Sequence, residues 1–92
     1  MYILRYAPKT LSYLSSCSKA DARRILTKLE HFRTSGQPLY FAKSVHNLAP
    51  ATHRFRIGKY RVLFALEKEE DKTIVQILAI LRRDRAYKHP LT

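Results

Sequence analysis

Two clusters of side chains in this sequence could handle a phosphate group. The first is Arg54, Arg56 and Arg61, interrupted by the dipeptide Gly58-Lys59. The second is Arg83, Arg85, Tyr87 and His89, inside the run Arg82-Arg83-Asp84-Arg85-Ala86-Tyr87-Lys88-His89. Guanidinium groups stay charged and grip phosphate through two parallel hydrogen bonds, so they suit anion binding and charge stabilisation better than proton transfer. A phenol set among cations is pushed toward phenolate. Tyr87 is therefore a candidate proton acceptor, or a positioner of a nucleophilic hydroxyl. Packing on the last strand, or stacking on an RNA base, accounts for it equally well. Of the four histidines, His31, His46, His53 and His89, only His89 stands close to Tyr87, which makes it the acid–base candidate among them. No pair of histidines has metal-ligand spacing, and most of the carboxylates sit in one turn between Glu67 and Asp71. That arrangement argues against hydrolysis by paired acids or by two metal ions.

The spacing also predicts the elements that must hold these groups. His53, Phe55 and Ile57 alternate with Arg54 and Arg56; after Gly58-Lys59, Tyr60, Val62, Phe64 and Leu66 alternate with Arg61, Leu63 and Ala65. A two-residue turn with Gly first would pair Ile57 with Tyr60, Arg56 with Arg61 and Phe55 with Val62. One face of the hairpin then carries Phe55, Ile57, Tyr60, Val62 and Phe64 as core. The other carries Arg54, Arg56 and Arg61. Two arginines directly opposite each other repel, which points to a face that meets an anion. A solvated outer face is the plainer alternative, and a slip of one residue would exchange the two faces.

Upstream, Tyr2-Ile3-Leu4-Arg5-Tyr6 reads as a strand, and Pro8 suits the first turn of a short helix with Leu11 and Leu14 as its apolar edge. Ser18 followed by Asp21 resembles a capping box, and Ala22, Ile25, Leu26, Leu29 and Phe32 follow at helical spacing until Gly36 and Pro38. Lys19, Arg23 and Lys28 point elsewhere. Residues 37–52 read as a loop with a short piece around Tyr40–Val45. Lys68 to Lys72 is a charged turn, and Thr73 to Leu81 is almost continuously apolar, as in a central strand covered on both faces. Residues 82–90 close as a turn or one short helix. His53 falls on the core face, where a hydrogen-bonded buried role is expected, and Cys17, between the helices, has no activating base beside it. The fold class is α+β, with two N-terminal helices packed on one face of a small, largely antiparallel sheet of about four strands.

Length and charge bound the partners. The chain has 92 residues, 46% hydrophobic, with 2 Gly and 4 Pro, enough for one modest core and a single domain over 1–92. A lone cysteine allows no internal disulfide, and there is neither a secretory leader nor an apolar run of membrane-spanning length, so a cytoplasmic location and no membrane partner are expected. Against 7 Asp and Glu stand 18 Lys and Arg, a formal charge of +11. The excess is +6 over residues 1–50 and +5 over residues 51–92, so it belongs to the folded surface and not to a tail. Such a surface attracts polyanions, nucleic acid above all, or an acidic protein.

The chain resembles the RelE/ParE superfamily of toxins from toxin–antitoxin pairs. The likeness runs over nearly the whole length. It takes in Ala22-Arg23-Arg24-Ile25-Leu26-Thr27-Lys28-Leu29, the hairpin from His53 to Phe64 and the Arg-rich stretch ending in Tyr87-Lys88. The hairpin is similar to the family pattern Tyr-Arg-x-Arg-x-Gly-x-Tyr-Arg-Val. The resemblance implies a RelE-like fold and a ribosome-dependent, metal-independent endoribonuclease that cleaves mRNA by attack of a 2′-hydroxyl on the adjacent phosphate. It implies no cofactor and, as partners, a cognate antitoxin, the ribosome and mRNA. By motif position, Arg54, Arg56 and Arg85 would bind the RNA backbone, Arg61 and Arg83 would stabilise charge on the phosphate, and Tyr87 would orient or deprotonate the 2′-hydroxyl. Some members have Lys at the positions of Arg54 and Arg56, and many have Gly-His where this chain has Leu81-Arg82. Here Tyr87 or His89 is left to move the proton. A ParE-like inhibitor of DNA gyrase without nuclease activity is the alternative on the same fold, and a non-catalytic RNA- or ribosome-binding module is a third. Tyr87 together with Arg61 and Arg83 favours the nuclease.

Overall fold

The structure is a computed structural model and describes residues 1–82. Its elements are β1 (Tyr2–Tyr6), α1 (Pro8–Ser16), α2 (Lys19–Thr34), a 3-10 turn (Pro38–Phe41), β2 (Ala42–Ser44), β3 (His53–Ile57), β4 (Tyr60–Glu69) and β5 (Lys72–Arg82). The strands form one five-stranded sheet in the order β1-β5-β4-β3-β2. Only β1 and β5 run parallel; every other pair is antiparallel. The expected α+β class holds, with one strand more than the four expected. The addition is β2, three residues long, within the stretch where a short piece was anticipated.

Both helices pack on one face of the sheet through a core that joins Leu14, Ile25, Leu29 and Phe32 to Phe55, Ile57, Val62, Phe64, Val75 and Ile77. Burial of these side chains is the main driving force for the fold. In α1 the inward edge differs from expectation. Leu11 is 54% exposed, and the buried positions are Thr10 and Leu14, four residues and about one turn apart. Thr10 can face inward because its hydroxyl donates to Ala7 O at 2.6 Å. In α2, Ile25, Leu29 and Phe32 are buried as expected, while Leu26 lies on the flank and remains exposed. Ser18 caps α2 by accepting from the Asp21 backbone N–H at 3.1 Å. The Asp21 carboxylate turns instead to the hairpin, as described below.

The β3–β4 hairpin has the expected register: Ile57 opposite Tyr60, Arg56 opposite Arg61 and Phe55 opposite Val62. Gly58 takes φ +57°, the conformation its place at the head of the turn requires. The turn between β4 and β5 is tighter than the charge run suggested. Glu69 pairs with Lys72, leaving only Glu70 and Asp71 between the strands. Strand β5 contains an irregularity: Leu63 faces Ala79 but Phe64 faces Ile77, so Leu78 is an extra residue. Ile74, Val75, Ile77 and Ile80 of β5 are buried. His53, expected to be buried on the core face, is only half-buried: it stacks on Phe64 at 5.6 Å, with Nδ1 2.9 Å from Thr52 Oγ1 near the surface. No helix among the described residues is long and apolar enough to cross a membrane.

Candidate functional site

The sheet face turned away from the helices carries a row of cations. In β3, Arg54 and Arg56 alternate with the core residues Phe55 and Ile57, so the pleat sends both arginines outward. Across β4, Arg61 stands opposite Arg56, and across β2, Lys43 stands opposite Arg54. Neighbouring strands lie roughly 4.8 Å apart, so these four side chains share one patch. Among the described residues, the ion pairs are Arg5 with Glu69, Arg33 with Glu30 and Lys59 with Asp21; none involves the four. With no carboxylate paired to it among the described residues, the patch is open to an outside anion.

Arg61 differs from its neighbours. Arg56 is exposed and Arg54 half-buried, but Arg61 is only 3% exposed. Its Nη1 donates to Gly58 O at 3.2 Å and to Tyr60 O at 3.0 Å, while its Nε has no hydrogen-bond partner among the described residues. The expectation of a surface arginine on this face is corrected in that respect. The side chain is folded back against its own hairpin, with Leu63 buried two residues along the same strand. A buried guanidinium with no counter-ion and an idle N–H among the described residues is a costly arrangement for stability and a favourable one for holding an anion that reaches it.

The hairpin is anchored to the start of α2. The Tyr60 hydroxyl donates to Asp21 Oδ2 at 2.7 Å, and Lys59 Nζ lies 3.4 Å from the same oxygen. The hydrogen bond from Tyr60, reinforced by Lys59, holds the Asp21 carboxyl below the ordinary carboxylate range. The same bond, with burial, raises the Tyr60 hydroxyl above its ordinary value. Tyr60 is also wedged edge-on against Tyr13 at 6.4 Å. Tyr60 is adjacent to Arg61, so this clamp sets where the buried arginine sits. Tyr60→Phe is expected to lower the melting temperature by several degrees near neutral pH. The depressed Asp21 pKa places that contribution above the ordinary carboxylate value of about 3.9 and removes it as pH falls through the folded-state pKa. The raised Tyr60 pKa confines it on the other side to pH below about 10, with loss as pH rises through the folded-state value. Melting both proteins at neutral and strongly acid pH checks the sign: the gap between them must shrink in acid.

Arg54, Arg56 and Arg61 are thus brought together. Arg83, Arg85, Tyr87 and His89 lie outside the described residues; strand β5 ends at Arg82, paired with Tyr60. Lys43 escaped the sequence reading, since a strand of three residues shows no period. Its only signal was a lysine in the short piece expected near Tyr40–Val45. Among the described residues, no group of three or more His, Cys, Asp or Glu side chains could hold a metal ion.

Comparison with known proteins places this arrangement in context. A family model described as the ParE toxin of the type II toxin–antitoxin system parDE matches residues 4–87. No curated protein matches the chain. The archaeal RelE–RelB complex from Pyrococcus horikoshii OT3 contains a chain with TM-score 0.69 and 24% identity, the alignment covering 92% of this chain and 98% of that one. A chain of the toxin–antitoxin complex RelBE2 from Mycobacterium tuberculosis aligns with TM-score 0.60 and 24% identity, over 89% of this chain and 98% of that one. Both likenesses concern the fold.

Proposed function

This chain belongs to the ParE toxin family of type II toxin–antitoxin systems, and we propose that within it the chain acts as an endoribonuclease that cleaves mRNA on the ribosome. The observation that carries this reading is Arg61, buried with an unpartnered Nε and faced by Arg56 across the hairpin. Fixed N–H donors that wait for charge in a water-poor place are what a transition state with a charged phosphate requires.

The reaction forms a bond between the 2′-oxygen of a ribose and the adjacent phosphorus and breaks the bond from phosphorus to the 5′-oxygen of the next nucleotide. A cyclic phosphate and a free 5′-hydroxyl result. The proton of the 2′-hydroxyl passes to a base, and the departing 5′-oxygen takes up a proton. Arg54 and Arg56 hold the backbone on either side, Arg61 and Arg83 neutralise the equatorial oxygens, and Arg85 makes a further phosphate contact. Tyr87 orients or deprotonates the 2′-hydroxyl, with His89 as the other acid–base group. Positioning and electrostatics carry the rate, and neither a metal ion nor a cofactor takes part. A cognate antitoxin, rich in acidic residues, neutralises the protein, in keeping with the +11 charge and with the RelB partners in the two similar complexes.

The second reading is arrest of DNA gyrase without RNA cleavage. It is favoured by the matching family model, whose description names the ParE toxin. Inducing the wild type, Arg61→Ala and Tyr87→Phe in cells, then mapping mRNA 5′ ends, separates the two. Cleavage in phase with codons that vanishes in both variants is the expected result. Growth arrest with intact mRNA and broken DNA overturns it in favour of gyrase, and no arrest leaves only a binding module.

A further inference from the structure

Between Glu30 and Glu67 the sequence contains no Asp or Glu, while six Lys and Arg and three His fall in that stretch. Inside it lies the 3-10 turn Pro38–Phe41, whose large side chains are turned outward: Leu39 is 40% exposed, Phe41 39% and Tyr40 80%. Polar or small residues commonly occupy so open a turn. The ring of Tyr40 meets Phe41 edge-on at 5.4 Å, and Phe41 in turn stacks on the buried Phe32 at 4.7 Å and touches His31 at 5.7 Å. Tyr40 is therefore propped from beneath by an aromatic pile rooted in the core, with its own surface free.

Cations approach this turn along two routes. On the sheet, Lys43 follows Tyr40 by three residues and begins the row that runs through Arg54 to Arg56 and Arg61. On α2, Arg24, Lys28 and His31 recur at intervals of four and three and so line one face of the helix. Arg24 reaches the hairpin turn, its Nη1 only 3.4 Å from where a side chain on Gly58 would begin.

We infer that Tyr40, backed by Phe41, is a base-stacking platform for single-stranded RNA at the β2 edge of the sheet, where the cationic row of the outer face begins at Lys43. This inference rests on the nuclease reading above and adds a subsite to it. Aromatic rings that alternate with backbone-tracking cations are the general solution for gripping single strands, because every base has a π face. An acidic protein would match the charge equally, but a ring 80% exposed, in a stretch free of Asp and Glu, offers the π face on which a base stacks.

The test measures binding of the purified full chain to a short fluorescent single-stranded RNA and to the same backbone made abasic. Wild type is expected to prefer the base-bearing strand, and Tyr40→Ala to lose about 5- to 100-fold in affinity and the preference with it. Tyr40→Phe and Tyr40→Trp, which keep a ring, should restore both. Equal binding of the two strands by wild type, or an unchanged Tyr40→Ala, overturns the platform. So does a Tyr40→Ala protein that keeps its RNA affinity but no longer co-purifies with a co-expressed antitoxin, since the turn would then be a protein contact. Arg56→Ala tests the underlying reading separately. If it weakens binding and Tyr40→Ala does not, the platform alone fails; if wild type binds neither strand at any salt concentration, the platform fails too, while the nuclease reading stands or falls with the mRNA 5′-end maps.

Discussion

Replacing Arg61 by Met is expected to raise the stability of this protein and to sharply lower the proposed cleavage activity. Two physical terms set the signs. Arg61 is 3% exposed, has no carboxylate within reach of an ion pair among the described residues, and leaves its Nε unpaired. A buried charge in that condition costs more in lost hydration than its two hydrogen bonds to Gly58 O and Tyr60 O return. Methionine fills a similar volume without the charge, so a gain of about 1–4 kcal/mol is expected in urea or thermal unfolding. In the proposed chemistry the same change removes donors aimed at the phosphate, and a loss of about 100- to 1,000-fold in cleavage rate follows. Arg61→Lys keeps a charge but not the planar fork, and should recover little of the rate. A Met variant that is less stable than wild type would mean that the two carbonyl contacts outweigh desolvation. Opposite movements of stability and activity are the mark of a residue retained for its work on a ligand.

Phe55→Ala should come close to unfolding the chain. Phe55 is 1% exposed and sits in the middle of an aromatic file, 4.7 Å from Phe32 and 4.3 Å from Phe64. The file joins α2 to β3 and β4. Removing a buried phenyl group costs about 3–5 kcal/mol in transfer and cavity terms. Domains of this size have a total stability of about 5–15 kcal/mol, so little remains. The midpoint of denaturant unfolding measures the loss. Phe55→Leu, which restores most of the volume, should recover most of it. Phe55 also lies between Arg54 and Arg56, so any residual folded Phe55→Ala protein should bind anions poorly.

The hairpin was legible because three signals agreed: period-two alternation, a two-residue turn with Gly first, and apolar residues at every second position on both arms. Register followed, and with it the opposition of Arg56 and Arg61. Alternation reports which face a side chain takes but not what else lies on that face, so the burial of Arg61 had no signature. The cap of α2 was half legible: Ser18 behaves as its type suggests, whereas Asp21 is drawn off by Tyr60, a contact across 39 residues that no local pattern encodes. Thr10 shows the same limit, since a polar residue reads as exposed unless its hydroxyl is known to find a carbonyl. Lys43 needed β2, which exists only because β3 offers it an edge. The sequence likewise proposed Arg83, Arg85, Tyr87 and His89 as part of the site, and those residues lie beyond the described chain.

The parallel pairing of β1 with β5 has a bearing on the birth of the protein. Strand β5 stands between β1 and β4, so the first strand to be synthesised has no neighbour until the last is finished. Contacts of such sequence separation form late, after the cost of closing a long loop has been met. A nascent chain that has completed the helices and even the Arg56–Arg61 hairpin still lacks the strand that unites them with β1. The sheet, and with it the seat of the buried arginine, is completed only once β5 has been made.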